Sequence, residues 1–237
     1  MRAAFDRTVL VTGASKGIGL AVARALAGSG AWVGMVARSE GPLAEAATEV
    51  GGEALPADVS SPESVDDLAA RVTSRIGGAP DVVVNSAGAF SLASFVETDP
   101  ESFDRQLAVN LRGSFLVTRA FLPAMLERGS GHIVHVGSVA GRLPLPGNAA
   151  YSASKFGLRG MHEVLVAELQ GTGVRATLIE PAATDTPLWD DLDPDNRDDL
   201  PGRGQMLRPD QVARAIAFAI DQPSDVEVSL LAIRAAG

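Results

Sequence analysis

Cysteine is absent from the sequence, which excludes disulfides, thiolate catalysis and cysteine-based metal sites and leaves the redox compartment open. Histidine is nearly as scarce, at 3 residues. His132 and His135 stand three apart on a strand-like run and so project to opposite faces, and His162 lies alone on a helix-like run; no metal site is expected. Basic charge is short as well. The net charge of -9 and pI near 4.8 argue against a nucleic-acid partner, whose phosphates would be repelled. No apolar run reaches the roughly 18 residues of a membrane span. The first residues, Met1 to Arg7, carry charge of both signs and lead straight into a strand-like run. Neither a signal peptide nor a membrane segment is expected, and the expected location is cytoplasmic.

What is present suits a packed core: 46% hydrophobic and 21% charged residues over 237 positions are ordinary for a globular chain. No linker splits it and no repeat recurs at a fixed period, so one domain is expected over 1–237. Thr8 to Val11 reads as a short apolar strand that breaks into Thr12-Gly13-Ala14-Ser15-Lys16-Gly17-Ile18-Gly19, after which Ile18, Val22, Ala25 and Leu26 keep helical spacing. Strand-like runs then follow at 31–37, at a stretch ending in Ala57-Asp58, and at 81–85, 133–138, 174–180 and 226–233. Between them lie helix-like runs at 42–50, 61–76, 101–126 (bent by Pro123), 149–170 and 209–220. Strands alternating with helices this long imply parallel pairing through right-handed crossovers. The expected fold class is α/β, a doubly wound parallel sheet of the Rossmann type, with about seven strands and helices on both faces. In such sheets the ligand lies beyond the carboxyl ends of the strands. Thr12 to Gly19, Asp58, Asn85 to Gly88 and Ser138 all fall at such ends.

The chemistry-bearing residues fit that place. The glycine turn lets backbone approach a pyrophosphate closely, and the following helix aims free N–H groups and its positive dipole end at the anion. Its spacing, Gly-x-x-x-Gly-x-Gly, departs from the commoner Gly-x-Gly-x-x-Gly. Tyr151 and Lys155 are one helical turn apart on one face. An ammonium about 4 Å from the phenol would lower its pKa by up to about three units, making it a usable general acid and base. Ser138 can donate a hydrogen bond to a carbonyl oxygen on which charge develops.

On Thr12-Gly13-x-x-x-Gly17-x-Gly19, Asn85-Ser86-Ala87-Gly88, Asn110, Ser138 and Tyr151-x-x-x-Lys155, the chain resembles the short-chain dehydrogenase/reductase family from roughly Thr8 to Thr186. The resemblance implies a catalytic set of Asn110, Ser138, Tyr151 and Lys155, with Asn110 helping to relay protons and Lys155 holding the nicotinamide ribose. It also implies that the glycine turn, with Ser15, Lys16 and Ile18, holds the pyrophosphate, that Asp58 and Val59 contact adenine, and that Asn85, Ala87 and Gly88 border the cofactor. Pro181, Thr184 and Thr186 then belong to the loop over the nicotinamide amide. Ser86 replaces an asparagine of the family's pattern, and Ala182 stands where glycine is usual, at a position where positive φ would penalise alanine.

At the end of the second strand, where an NAD site offers a carboxylate, the chain has Ala37, then Arg38 and Ser39. Arg38, aided by Lys16, can bond a 2′-phosphate, so the expected cofactor is NADP(H). The expected activity is reduction of a ketone or aldehyde, a small-molecule substrate, by hydride transfer. Reduction of ketoacyl thioesters on an acyl carrier and a non-catalytic NADP(H)-binding role are the alternatives. Leu143, Leu145, Phe90, Leu92, Phe95, Leu188 and Trp189 are candidates for an apolar substrate wall, and 186–208 for a lid. The acidic run from Asp191 to Asn196 lacks the turn glycine and final glutamate of a calcium-binding EF-hand loop. A homodimer or homotetramer is expected from long helices that are apolar on more than one face.

Overall fold

The computed structural model describes residues 7–236; Met1 to Asp6, part of the start at which no signal peptide is expected, lie outside them. Seven strands form one parallel sheet in the order β3-β2-β1-β4-β5-β6-β7. They are β1 (Thr8–Thr12), β2 (Trp32–Ala37), β3 (Glu53–Pro56), β4 (Val82–Asn85), β5 (Gly131–Val136), β6 (Val174–Pro181) and β7 (Leu230–Ile233). Strands buried on both faces read as continuous apolar runs, and β1 and β4 are TVLVT and VVVN. Alternate side chains feed two cores. Val9 and Val11 join Val22, Leu26, Leu43 and Ile216 on the face covered by α1 (Gly17–Ala27), α2 (Glu40–Val50) and α7 (Pro209–Ile220). Leu10 joins Leu68, Val72, Phe121 and Leu165 on the face covered by α3 (Pro62–Ile76), α5 (Ser114–Arg128) and α6 (Ala149–Leu169). None of the described helices is long and apolar enough to cross a membrane.

The helix boundaries follow local chemistry. Ser61 caps α3 by accepting from Ser64 N–H, Pro62 occupies its first turn, and Gly77 ends it at φ 76°. The expected single helix over 101–126 is instead three pieces: α4 (Pro100–Leu107), a π-helical turn (Ala108–Gly113) and α5. The extra residue of a π turn leaves the chain helical, so the apolar spacing on either side does not reveal it. Pro123 lies inside α5, which continues past it to Arg128. The expected last strand is shorter at its start, because residues 226–229 run beside β6 through single bonds, such as Leu178 N–H to Ser229 O at 2.9 Å, before β7 pairs.

The sheet order changes direction at β1, which has β2 on one side and β4 on the other. The loops leaving the carboxyl ends of these strands diverge to opposite faces and leave a crevice there.

Candidate active site

A cleft of about 1030 Å³ opens along that edge. Its floor at one end is the glycine turn, where Gly13, Ser15, Lys16, Gly17, Ile18 and Gly19 all line the wall. Gly13 has φ 68°, and a Cβ on it would lie 2.8 Å from Ala87 Cα and from Ser86 O, so only glycine lets the turn close onto the loop after β4. Thr12 fastens the same junction, its hydroxyl oxygen accepting from the Ser86 and Ala87 N–H groups at 3.1 Å. That bracket was not evident in the sequence, where Thr12 reads only as the last strand residue. The first turn of α1 has no side-chain cap bond and no acidic residue, so its N–H groups suit an anion from the cleft.

Arg38, Ser39, Asp58, Val59, Ala87 and Gly88 continue the wall at this end. Burial opposes charge on Asp58, but hydrogen bonds from the Ser60 side chain and backbone, with the field of Arg38, outweigh it and lower the carboxyl pKa. Arg38 and Lys16 are exposed and make no side-chain hydrogen bond or ion pair among the described residues. Two cations beside Ala37, neither engaged in an ion pair among the described residues, fit a phosphate-bearing ligand.

At the other end Ser138, Tyr151, Lys155, Pro181, Thr184 and Thr186 line the cleft. Tyr151 sits in the first turn of α6, and the ring of Phe90 meets it edge-on with centroids 4.8 Å apart. Burial pushes the Tyr151 phenol up to about 12, opposed by its hydrogen bond with Ser138. Burial likewise pushes the Lys155 ammonium down to about 8. The phenol is therefore not lowered as the helical spacing alone suggests. Lys155 Nζ donates to Val136 O at 2.9 Å and stands 5.6 Å from the centre of the tyrosine ring, and desolvation dominates at the phenol.

Two residues expected at the site lie behind the cleft wall. Asn110, on the π turn, is fully buried; its Oδ1 accepts from Ala89 N–H at 2.7 Å, and its Nδ2 donates to Ala89 O and Ser154 Oγ, both at 2.9 Å. Ser154 in turn donates to Tyr151 O at 2.7 Å. In this arrangement Asn110 ties the loop after β4 to the first turn of α6. Asn85 donates to Thr118 Oγ1 at 3.1 Å and faces α5. The histidines are separate from the cleft: His132 bonds Thr177 at 2.8 Å, and His135 lies between Thr118 and His162. No group of three metal-ligating side chains occurs among the described residues.

Of the expected apolar wall, Phe90, Leu92, Leu145, Leu188 and Trp189 line the cleft. Leu143 and Phe95 do not, and Phe95 is 85% exposed. The stretch from Pro187 folds into three short 3-10 turns and returns to pair Leu207 with Thr184. Arg203 binds Asp185 and Asp190 across it. Arg197, Asp199, Leu200 and Pro201 from this stretch also line the cleft; their irregular, polar surroundings gave no periodic signal.

The short chain dehydrogenase family model matches residues 7–197. An uncharacterised oxidoreductase of Staphylococcus epidermidis is 36% identical over 231 residues, covering 97% of each chain. Among solved structures, an alcohol dehydrogenase from the archaeon Thermococcus sibiricus, complexed with 5-hydroxy-NADP, superposes with a TM-score of 0.82 at 30% identity over 97% of each chain. A 3-ketoacyl-(acyl-carrier-protein) reductase from Brucella melitensis, complexed with NADH, gives 0.86 at 29% identity over 99% of each chain.

Proposed function

The chain is an oxidoreductase of the short-chain dehydrogenase/reductase family, and from that premise we propose that it reduces a ketone or aldehyde with NADPH. The observation that carries this reading is the shared wall: Ser138, Tyr151 and Lys155 face one end of a cleft whose other end holds the glycine turn and Arg38. Gly13 to Gly19 and the uncapped start of α1 would hold the pyrophosphate, Asp58 and Val59 the adenine, and Pro181, Thr184 and Thr186 the nicotinamide amide. A bound nicotinamide supplies the hydride. Tyr151, with its pKa about 12, is protonated at neutral pH and suits proton donation to the carbonyl oxygen in the reductive direction. Ser138 donates a hydrogen bond to the same oxygen as charge develops there. Lys155 supplies positive charge behind the ring when the phenolate forms. Asn110 holds the first turn of α6 in place from behind.

The preference for NADPH is supported by Arg38 and Lys16 and by the missing carboxylate at Ala37. The two solved relatives carry an NADP derivative and NADH respectively, so the family likeness alone leaves both open. The Brucella relative favours a second reading, reduction of a carrier-linked ketoacyl thioester, against which stands the repulsion between an acidic carrier and a chain of net charge -9. The segment 186–208 serves as a lid over the substrate end. Association in pairs or fours is supported by exposed Phe115 and Leu126 on α5 and Phe156 and Val164 on α6.

The test is oxidation of NADPH or NADH, followed by nicotinamide absorbance, over a panel of ketones, aldehydes and an acetoacetyl thioester on its carrier. Turnover of a small carbonyl compound with NADPH is expected. Turnover of the carrier substrate alone would replace this reading with the second, and no oxidation of either nucleotide by any compound would contradict both.

A further inference from the structure

Glu180, next to last in β6, is a carboxylate whose side chain is 1% exposed. Each of its oxygens is held by a different arginine: Arg142 Nε donates to Oε2 at 3.1 Å, and Arg159 Nη1 donates to Oε1 at 3.1 Å. The two arginines come from the two segments that carry the reacting groups. Arg142 closes the 3-10 turn Val139–Gly141 that follows Ser138. Arg159 extends down α6 the stripe begun by Tyr151 and Lys155, at i, i+4 and i+8. Along that stripe Lys155 is held by the end of β5 and Arg159 by the end of β6. The residue after Glu180, Pro181, opens the loop that lines the cleft. The serine turn also lies directly on the helix, since a Cβ on Gly141 would be 2.9 Å from Lys155 O. There is little slack between the two segments, and the buried carboxylate is their common anchor. Arg159 also pairs with Glu163 on its own helix at 2.9 Å, so losing the Glu180 charge detaches it from β6 without leaving it unpaired, while Arg142 loses its ion pair.

We propose that Glu180 is a positioning residue that sets the spacing between Ser138 and Tyr151 by holding the serine turn and the α6 helix to the end of β6. The inference rests on the reading that these two hydroxyls act on one carbonyl oxygen. Its consequence is measurable without turnover, because the chain has a single tyrosine. Protein labelled with ¹³C at the tyrosine Cζ gives one resonance, which reports the hydrogen bonding and ionisation of Tyr151. Ser138 hydrogen-bonds the phenol, so Ser138→Ala in the otherwise native chain is expected to move this resonance at neutral pH. In Glu180→Gln, which keeps the shape and loses the charge, adding Ser138→Ala is expected to move the resonance little further. With carbonyl reduction as readout, kcat is expected to fall roughly tenfold to a hundredfold while the dinucleotide dissociation constant stays within about twofold.

If Ser138→Ala shifts the resonance as far in Glu180→Gln as in the native chain, the proposal is overturned. Should Glu180→Gln fail to fold, Arg142→Met serves instead: its side chain is 42% exposed, and the substitution frees only the serine turn. Loss of the Ser138 effect supports the proposal there too, and its full retention overturns it. Failure of the native protein to reduce any carbonyl compound would sink the functional reading and leave the resonance test intact.

Discussion

Tyr151 and Lys155 are neighbours on one helix, yet what governs the phenol is its surroundings. The Phe90 ring packs edge-on against it, burial raises its pKa, and the Lys155 ammonium is directed at Val136 O. Sequence spacing placed the pair on one face but carried no information on solvation, to which Phe90, sixty-one positions away in the chain, contributes. Arg38 is the opposite case, since its proposed role follows from position alone, at the end of β2 with Ala37 in place of a carboxylate. A charge-assisted hydrogen bond contributes about 1.5 to 3 kcal/mol, so Arg38→Ala is expected to weaken NADPH binding by roughly tenfold to a hundredfold. NADH binding should stay nearly constant. Titration of both nucleotides by fluorescence checks this, and equal weakening of the two would mean that Arg38 contacts a part they share.

Among the elements, the turn that carries Asn110 departs most from what periodicity suggested. Apolar spacing over 101–126 marks helix correctly on both sides of it, but one extra backbone residue per turn changes no residue type and so leaves no trace in composition. The π turn brings Asn110 to Ala89 and Ser154 together. Asn110→Leu would leave the Ala89 N–H and C=O unpaired behind the cleft, at about 1 to 3 kcal/mol each. Denaturant unfolding is expected to show a loss of several kcal/mol, and an unchanged midpoint would refute the bracing role. The glycine turn and the helix bearing Tyr151 were legible for a different reason. Gly13, Gly17 and Gly19 answer a steric demand that only glycine meets, and Tyr151-x-x-x-Lys155 is a helical spacing. The segment 186–208 was legible only as irregular, because Arg203 organises it through contacts with Asp185 and Asp190 that have no fixed spacing.

For the whole molecule, the order of apolar runs specified the parallel sheet because the central strands β1, β2, β4, β5 and β6 are buried by helices that the chain must reach through long crossovers. The sheet also buries titratable groups that the cleft does not use. Burial pushes His132 and His135 each down to about 3. With folded pKa values below the ordinary value of about 6.5, the unfolded chain binds more protons between those limits. The stability they contribute is present above pH 6.5 and is lost as pH falls toward 3, at up to about 1.4 kcal/mol per pH unit for each. Unfolding midpoints at pH 7 and pH 5 should therefore differ less in His132→Phe than in the native chain, and an equal difference would place the acid sensitivity elsewhere. The cleft at the carboxyl ends of β1 to β6 also holds one phenol, and the proposed reduction depends on that phenol giving its proton. The direct measurement is nicotinamide absorbance during carbonyl reduction by the native protein and by Tyr151→Phe, with dinucleotide binding measured on the same samples. Loss of turnover by roughly a hundredfold or more with binding retained is the expected result, and native turnover by Tyr151→Phe would contradict it.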